Sequence, residues 1–403
     1  AQHVPALSND SINEESHDSS MSFYVNIHQG DLLKKLCLIP LELTDGSSIQ
    51  GKLNKGNTYA EISAHAEKIN YENTELENVS LHLKSQEMGA GLLLQAKKQL
   101  FNDHVQFVVG TQIHDNILEN NIEWDGINNH EFSGNLNTIT SFVSPKKSVS
   151  SVLPTSIHIG DSIWNVSTGE LLIEDDKYKI KNLTVNTEHQ KLTLNGGVSS
   201  ENKDSLHIAL EHINVGYILD KINFKSVLFD GSASGDAYLS LSPNNPLLRA
   251  NLSVKSFLFN NALFGDASIQ AEWKSPKDRI NIDAEFVEQG VGWTKAKGYV
   301  SPAENGLDLH VTSNKTNIAF LRYWVNNITK DISGNTTGHC RVYGPFNKLD
   351  FEGVMNVNAQ LEVPANGVTY ALENAKVNID SGLFQLENSK ITAPLGGKGI
   401  ISA

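Results

Sequence analysis

Two glycine-framed pentapeptides come closest, in residue type and spacing, to a catalytic motif. Gly231 to Gly235 reads GSASG and Gly334 to Gly338 reads GNTTG. A nucleophile elbow needs Ser at the centre of such a frame, on a sharp strand-to-helix turn. Ala233 and Thr336 hold that place, and both frames run into strand-like text, so turn glycines are the better reading. Gly396 to Gly399 (GGKG) lacks the spacing and the following helix of a phosphate-binding loop. The 14 His are scattered and never fall at metal-ligand spacing. Acidic side chains alternate along strand-like runs, which makes a solvated sheet face rather than a catalytic carboxylate pair. Cys37 and Cys340 lie too far apart in sequence for a disulfide framework or a CxxC half-site and read as two small buried residues. Trp164, Trp273, Trp293 and Trp324 could stack on a sugar. Trp273 ends an apolar strand face and Trp324 sits in a helical stretch, so core anchors are favoured. Asn165, Asn182, Asn251 and Asn327 head Asn-x-Ser/Thr triplets, which an Asn-rich β chain produces by chance. These residues predict a protein that is not an enzyme and holds no metal and no cofactor.

The elements that would position any site follow from composition and period. The 403 residues allow two or three ordinary domains or one long repetitive one. With 32 basic and 46 acidic residues the net charge is −14. That balance argues against nucleic acid as a partner and against polybasic docking on anionic lipid. No stretch approaches the ~18 to 20 continuous apolar residues of a membrane-spanning helix. Charged residues are 19% and apolar ones 39%, lean in charge for helices and ordinary for alternating strands. The chain starts Ala1-Gln2 and stops at Ile401-Ser402-Ala403 in strand-like text, which suggests an excised piece with any anchor or sorting signal outside it.

Residues 1–20 read as a flexible or edge segment, and strand follows strand from Phe23 onward. Along Leu349 to Val363, Leu349, Phe351, Gly353, Met355, Val357, Ala359, Leu361 and Val363 share one face, and polar residues take the other except at Val354. Ala237, Leu239 and Leu241 alternate in the same way. So do Ala267, Ile269, Ala271 and Trp273, and Ile280, Ile282, Ala284 and Phe286. Helical spacing is confined to Asn317 to Ile328, to Val215 to Ile222 with Asn214 as a possible cap, and to one turn at Asp31 to Leu36. Asn214-Val215 and Gly235 match Asn317-Ile318 and Gly338 at one offset, 338 − 235 = 103. The expected organisation is a segment over 21–150 and a second over 151–403. The second holds two units of about a hundred residues, near 204–300 and 307–403. SPKKSVSSVLPTS (Ser144 to Ser156) is the best linker or long loop.

The run IHIGDSIWNVSTGELLIEDDKYKIKNLTVNTEHQKLTLNGGVSS (Ile157 to Ser200) resembles the periplasmic part of the TamB family, the translocation and assembly module subunit of the AsmA-like group, in its Bacteroides-type members. PLLRANLSVKSFLFNNALFGDASIQAEW (Pro246 to Trp273) is similar to that family's repeating strand unit, as are LDLHV (Leu307 to Val311) and DLLKKLCLIPLELTDGSSIQGKL (Asp31 to Leu53). Most of the chain after residue ~20 is covered, although only DSIWNV is distinctive and the rest are degenerate β patterns. The resemblance implies a periplasmic segment of an inner-membrane-anchored protein, in an all-β fold with few short helices. Its elongated antiparallel sheet would be curled into an open trough, a β-taco-like repeating groove. It also implies outer-membrane biogenesis, phospholipid or another acyl lipid as cargo, and an outer-membrane barrel of TamA type as partner. It supplies no catalytic residues, and both the anchor and the barrel-contacting segment lie outside this chain.

A sheet with one apolar face must cover it, normally with a second layer. The alternation alone favours two sheets packed as a sandwich, with small residues such as Ala237, Ala250, Gly353 and Ala359 allowing close approach. The resemblance favours the trough. Its candidate lipid-facing residues are Ala237, Leu239, Leu241, Leu252, Val254, Ile269, Trp273, Ile280, Ile282, Phe286, Leu349, Phe351, Met355, Val357 and Leu361. A chaperone or scaffold that captures β segments of barrel or secreted proteins is the alternative. A surface β protein that binds polysaccharide is a third reading.

Overall fold

The computed structural model describes residues 3–7, 19–28, 30, 41–54, 59–71, 74–100, 103–128, 130, 132–199, 204–216, 228–242, 245–273, 279–301, 305–322, 329–346, 348–364, 367–381, 383–394 and 396–402. The described elements are nearly all strands, paired antiparallel, so the expected all-β antiparallel class holds. The chain divides into two compact units. One comprises residues 1–189 with 193–197, the other 190–192 with 198–403.

The first unit holds β1 (Ser20–Ile27), β2 (Leu41–Leu43), β3 (Ser47–Asn54), β4 (Tyr59–Tyr71), β5 (Thr74–Gln86), β6 (Gly89–Leu100) and β7 (Asp103–His114). It continues with β8 (Ile117–Gly126), β9 (Phe132–Ser144), β10 (Lys147–Val152), β11 (Thr155–Ile159), β12 (Ser162–Val166), β13 (Gly169–Glu174) and β14 (Lys177–Asn186). β15 (Lys191–Val198) is divided between the units. Each of β3 to β9 pairs with the next, and register carries the period-2 pattern across them. Ala64, Leu81, Leu94, Val109, Ile122 and Leu136 stand opposite one another in a single apolar row. At the N-terminus Pro5–Leu7 forms one 3₁₀ turn with Val4 buried beside it. The expected linker Ser144 to Ser156 is instead mostly strand. β10 pairs with both β9 and β13, and β11 pairs with β9 and β12. Ser148, Ser150 and Val152 alternate with Lys147, Val149 and Ser151, so small hydroxyl residues serve a ladder where their polarity reads as a loop.

The second unit holds β16 (Leu206–Asn214), β17 (Phe229–Ser242), β18 (Asn245–Phe259), β19 (Ala262–Trp273), β20 (Ile280–Glu288) and β21 (Gly292–Ser301). β22 (Gly306–Asn317), β23 (Asp331–Pro345), β24 (Asp350–Val363), β25 (Val368–Asp380), β26 (Leu383–Leu386), β27 (Ser389–Thr392) and β28 (Lys398–Ile401) complete it. Each of β16 to β25 pairs with its sequence neighbour, a ten-strand meander. Asn260 and Asn261 turn β18 into β19 with φ of 47° and 61°, a left-handed pair that Asn tolerates. GSASG and GNTTG lie within β17 and β23, which corrects the turn reading. Gly334 has φ 129°, and a Cβ there would stand 2.0 Å from the Asn358 carbonyl oxygen. Only glycine lets β24 approach β23 so closely.

The 103-residue offset recurs as geometry. His212 and Lys315 are left-handed bulge residues (φ 54° and 55°), and their amides donate to Ser234 Oγ and Thr337 Oγ1. Asn214 Oδ1 accepts from the Gly216 amide and Asn317 Oδ1 from the Ala319 amide. Asn214 therefore caps as expected. Of the expected helix Val215 to Ile222, only Val215–Gly216 is described, and it is helical. Of Asn317 to Ile328, residues 317–322 are described and contain a 3₁₀ turn, Ala319–Leu321. Asp31 to Leu36 and Cys37 lie outside the described residues.

Candidate functional site

Register places the expected groove residues of the second unit on one face of its sheet. One row across the strands runs Leu239, Leu248, Trp273 and Ile280. The next runs Ala237, Ala250, Ala271 and Ile282 and extends through Gly298, Leu309 and Val342 to Phe351. A third passes through Gly235, Leu252, Ile269 and Ala284. A fourth contains Val254, Ala267 and Phe286, and Gly338 pairs Met355 in its continuation. Val357 and Leu361 face Thr336 and Ile332 farther along. Leu349 precedes β24, and of Leu241 the structure describes the backbone alone.

The face is not covered evenly. At the end where β16 and β22 finish, two short segments lie on it. Val215 packs against the cluster of Ala233, Val254, Phe257 and Ala267. Ile318, 1% exposed, forms a cluster with Ile332, Ala359, Leu372 and Ala375, and Leu321, Val357 and Leu361 pack around it. Phe320 joins the two regions, with its ring 5.4 Å from Phe259 and 5.5 Å from Phe264. Val254 is thus buried, and Ile269, Phe286, Val357 and Leu361, themselves half-buried, pack against these two clusters. Leu239, Leu248, Trp273, Ile280 and Ile282 stay half-buried.

Sequence reading missed a hydroxyl band within this face. Thr294, Ser313, Thr316 and Thr336 are all buried. The Thr294 and Thr316 hydroxyls meet at 2.5 Å, Thr316 also donates to the Trp293 carbonyl, and Thr336 donates to the Asn356 carbonyl. Each hydroxyl spends its donor within the sheet, which is why Thr can stand where the pattern expects an aliphatic residue. The first unit carries a similar interruption. Thr111 Oγ1 donates to Asn120 Oδ1, and Asn120 Nδ2 donates to Thr138 Oγ1.

Cross-strand ion pairs occupy the opposite face. Arg341 binds Asp308 through two hydrogen bonds of 2.8 Å, and this contact holds the Asp308 carboxyl below its ordinary value. Lys297 reaches Asp283 at 2.8 Å, which raises its ammonium, and Lys255 with the Ser256 amide lowers Asp266. These pairs are solvated and bind strands loosely. Cys340 lies on the apolar face opposite Gly353, and burial pushes its thiol up, away from nucleophilic chemistry. Among the described residues no three His, Cys, Asp or Glu side chains gather at metal-binding distance.

No protein-family model and no curated protein sequence matches this chain.

Proposed function

We propose that this chain is a non-enzymatic conduit segment that seats acyl chains of a lipid on the apolar face of its sheets. The observation that carries the reading is the half-buried row Leu239, Leu248, Trp273 and Ile280. Such a row releases about 0.8 kcal/mol for each methylene laid against it. An acyl chain suits it better than a peptide would. The backbone groups beneath the row are engaged in ladder pairing, so a peptide on this face would leave its own N–H and C=O groups without partners. A hydrocarbon chain has none to satisfy. The resemblance to the TamB family supports phospholipid as the cargo, the periplasm as the compartment, outer-membrane biogenesis as the process and a TamA-type barrel as the partner.

Native mass spectrometry of the purified chain tests this reading. Bound phospholipid that leaves when Ile282 is changed to Asp is the expected result, and a chain that takes up no lipid from vesicles overturns it. A second reading rests on a different surface. β28 pairs with β27 alone among the described strands, and Ile400 beside its outer edge is 73% exposed. Such an edge can add a strand from a barrel or secreted client, and recovery of an extended peptide without lipid would favour chaperoning.

A further inference from the structure

We infer that the first unit binds a neutral oligosaccharide on the face opposite its apolar row, over a floor opened by Gly91 and Gly110. The row from Ala64 to Leu136 takes one face of β4 to β9, so residues one step along each strand take the other. There His82, Leu93, Gly110, Asn121 and Asn137 stand opposite one another across β5 to β9. Lys84, Gly91, Gln112, Glu119 and Ile139 form the adjacent row. Both rows line one cavity of about 570 Å³, within the roughly 300 to 1,000 Å³ of small-molecule sites. The two glycines create this space, and neither has a positive φ. Beyond the chain neighbours, a Cβ on Gly91 would come no closer than 3.7 Å to any atom, and one on Gly110 no closer than 3.9 Å. Those are ordinary contacts, unlike the 2.0 Å at Gly334. Neither backbone conformation nor strand packing therefore requires glycine here. A glycine inside a strand weakens it, and often marks a place where a ligand approaches the backbone.

The side chains around that floor select the ligand. Asn121 Nδ2 donates to Asn137 Oδ1 at 2.9 Å, which sets two amides side by side, and Gln112 adds a third. An amide both gives and takes hydrogen bonds, as a sugar hydroxyl does. Among the described residues of the lining the full charges are Lys84 and Glu119, one of each sign. That balance suits a neutral ligand better than a phosphate or a carboxylate. Leu93, 43% exposed, and Ile139 offer apolar surface to the C–H face of a pyranose ring. An acyl chain would instead desolvate the amides and return no hydrogen bonds. The site continues along the strands. Two residues farther on, Val108, Glu123 and Asn135 line a second cavity of about 400 Å³ on the same face. From Gln112 to Gln106 the six steps (112 − 106) along β7 cover about 20 Å at ~3.4 Å each, room for a chain of sugar rings. All these residues belong to the first unit, so the site goes beyond the conduit reading and does not depend on it.

Isothermal titration of the full chain with cellotriose, maltotriose and triacetylchitotriose, and with trigalacturonate as an anionic control, tests the site. At least one neutral trisaccharide should bind. Gly91→Val and Gly110→Val should each weaken that binding by about tenfold or more, the loss expected when a side chain fills the floor. Because each valine enters open space, both variants should melt at or above the temperature of the parent. Asn121→Ala leaves the floor as it is and should weaken sugar binding severalfold. Lipid retention should be unchanged in all three. No binding of a neutral sugar by the folded parent, or binding that all three substitutions leave intact, overturns the site. Tighter binding of trigalacturonate than of the neutral sugars overturns the assignment of a neutral ligand. Valine variants that unfold, or melt well below the parent, mean that the sheet itself requires glycine and overturn the vacated floor. Asn121→Ala then still decides whether sugar binds at this face.

Discussion

The two ends of the strands in the second unit have the same alternating pattern but different surroundings. Around Val254, which is 2% exposed, Phe257, Ala267 and the Val215 segment build a packed cluster. Around Ile282, two strands over and nearer the other end, the neighbours Ala271 and Gly298 are small and the side chain stays half-buried. An aliphatic residue at the right parity is therefore assured a face but not a cover. Around Val254 and Ala359 that cover includes Val215 and Ile318, two residues that leave the strands where β16 and β22 finish. A ladder of this kind can be a closed core and a half-buried apolar surface within the length of one strand.

That contrast is most sharply broken by placing a carboxylate at each end. Val254→Asp would bury an unpaired charge against protein and should lower stability by about 3 to 5 kcal/mol. Ile282→Asp should lose no more than about 1 kcal/mol, because water still reaches it. Urea melts of the two variants measure the difference, and equal losses would mean that Ile282 is as well covered as Val254.

Next come the backbone glycines, where the two ends should behave alike. Gly334→Ala near Ile318 and Gly298→Ala beside Ile282 each put a Cβ 2.0 Å from a neighbouring carbonyl oxygen, at positive φ. Both should cost about 1 to 3 kcal/mol by thermal melting. A loss at Gly334 alone would trace the contrast between the ends to strand geometry instead of to the covering segments.

A smaller effect should appear at Cys340. Its raised thiol means that alkylation by N-ethylmaleimide in a Cys37→Ser background stays slow through the ordinary thiol range and quickens only at higher pH. Lipid loading should slow it further. A rate unaffected by lipid would place the occupant away from the middle of the face.

The least effect is expected from the ion pairs, which occupy the opposite face. The Asp308 carboxyl is lowered by Arg341, so its contribution is present above the ordinary carboxylate range. It is lost as pH falls through the lowered value. Asp308→Asn should flatten that acid limb of the melting profile and leave lipid retention unchanged.

Local text was enough to assign the strands and their faces. In β24 the run from Phe351 to Val363 obeys period 2, and every candidate residue in a paired strand falls on the face its parity assigned. The Asn214 cap and the 103-residue repeat were also legible, because capping and bulging depend on residues close in sequence. Three features were not. Lys147 to Val152 is strand because β9 and β13 flank it, which no property of Ser or Lys announces. The glycines of GSASG and GNTTG serve close strand approach, which exists only once β17 meets β18 and β23 meets β24. The buried hydroxyls of Thr294 and Thr316 depend on a partner 22 residues away.

What the sequence by itself determined is which side of each strand is apolar, since side-chain direction alternates with every residue whatever the strand packs against. What only the tertiary structure decided is where that side is covered. Val254 and Leu248 stand on one face of one strand, six residues apart (254 − 248), and parity cannot tell them apart. The first is closed over by Val215 and by rings from neighbouring strands, and the second is left half-buried. Burial is a property of the neighbours a folded chain brings, and those neighbours come from other strands and from the short segments that leave β16 and β22.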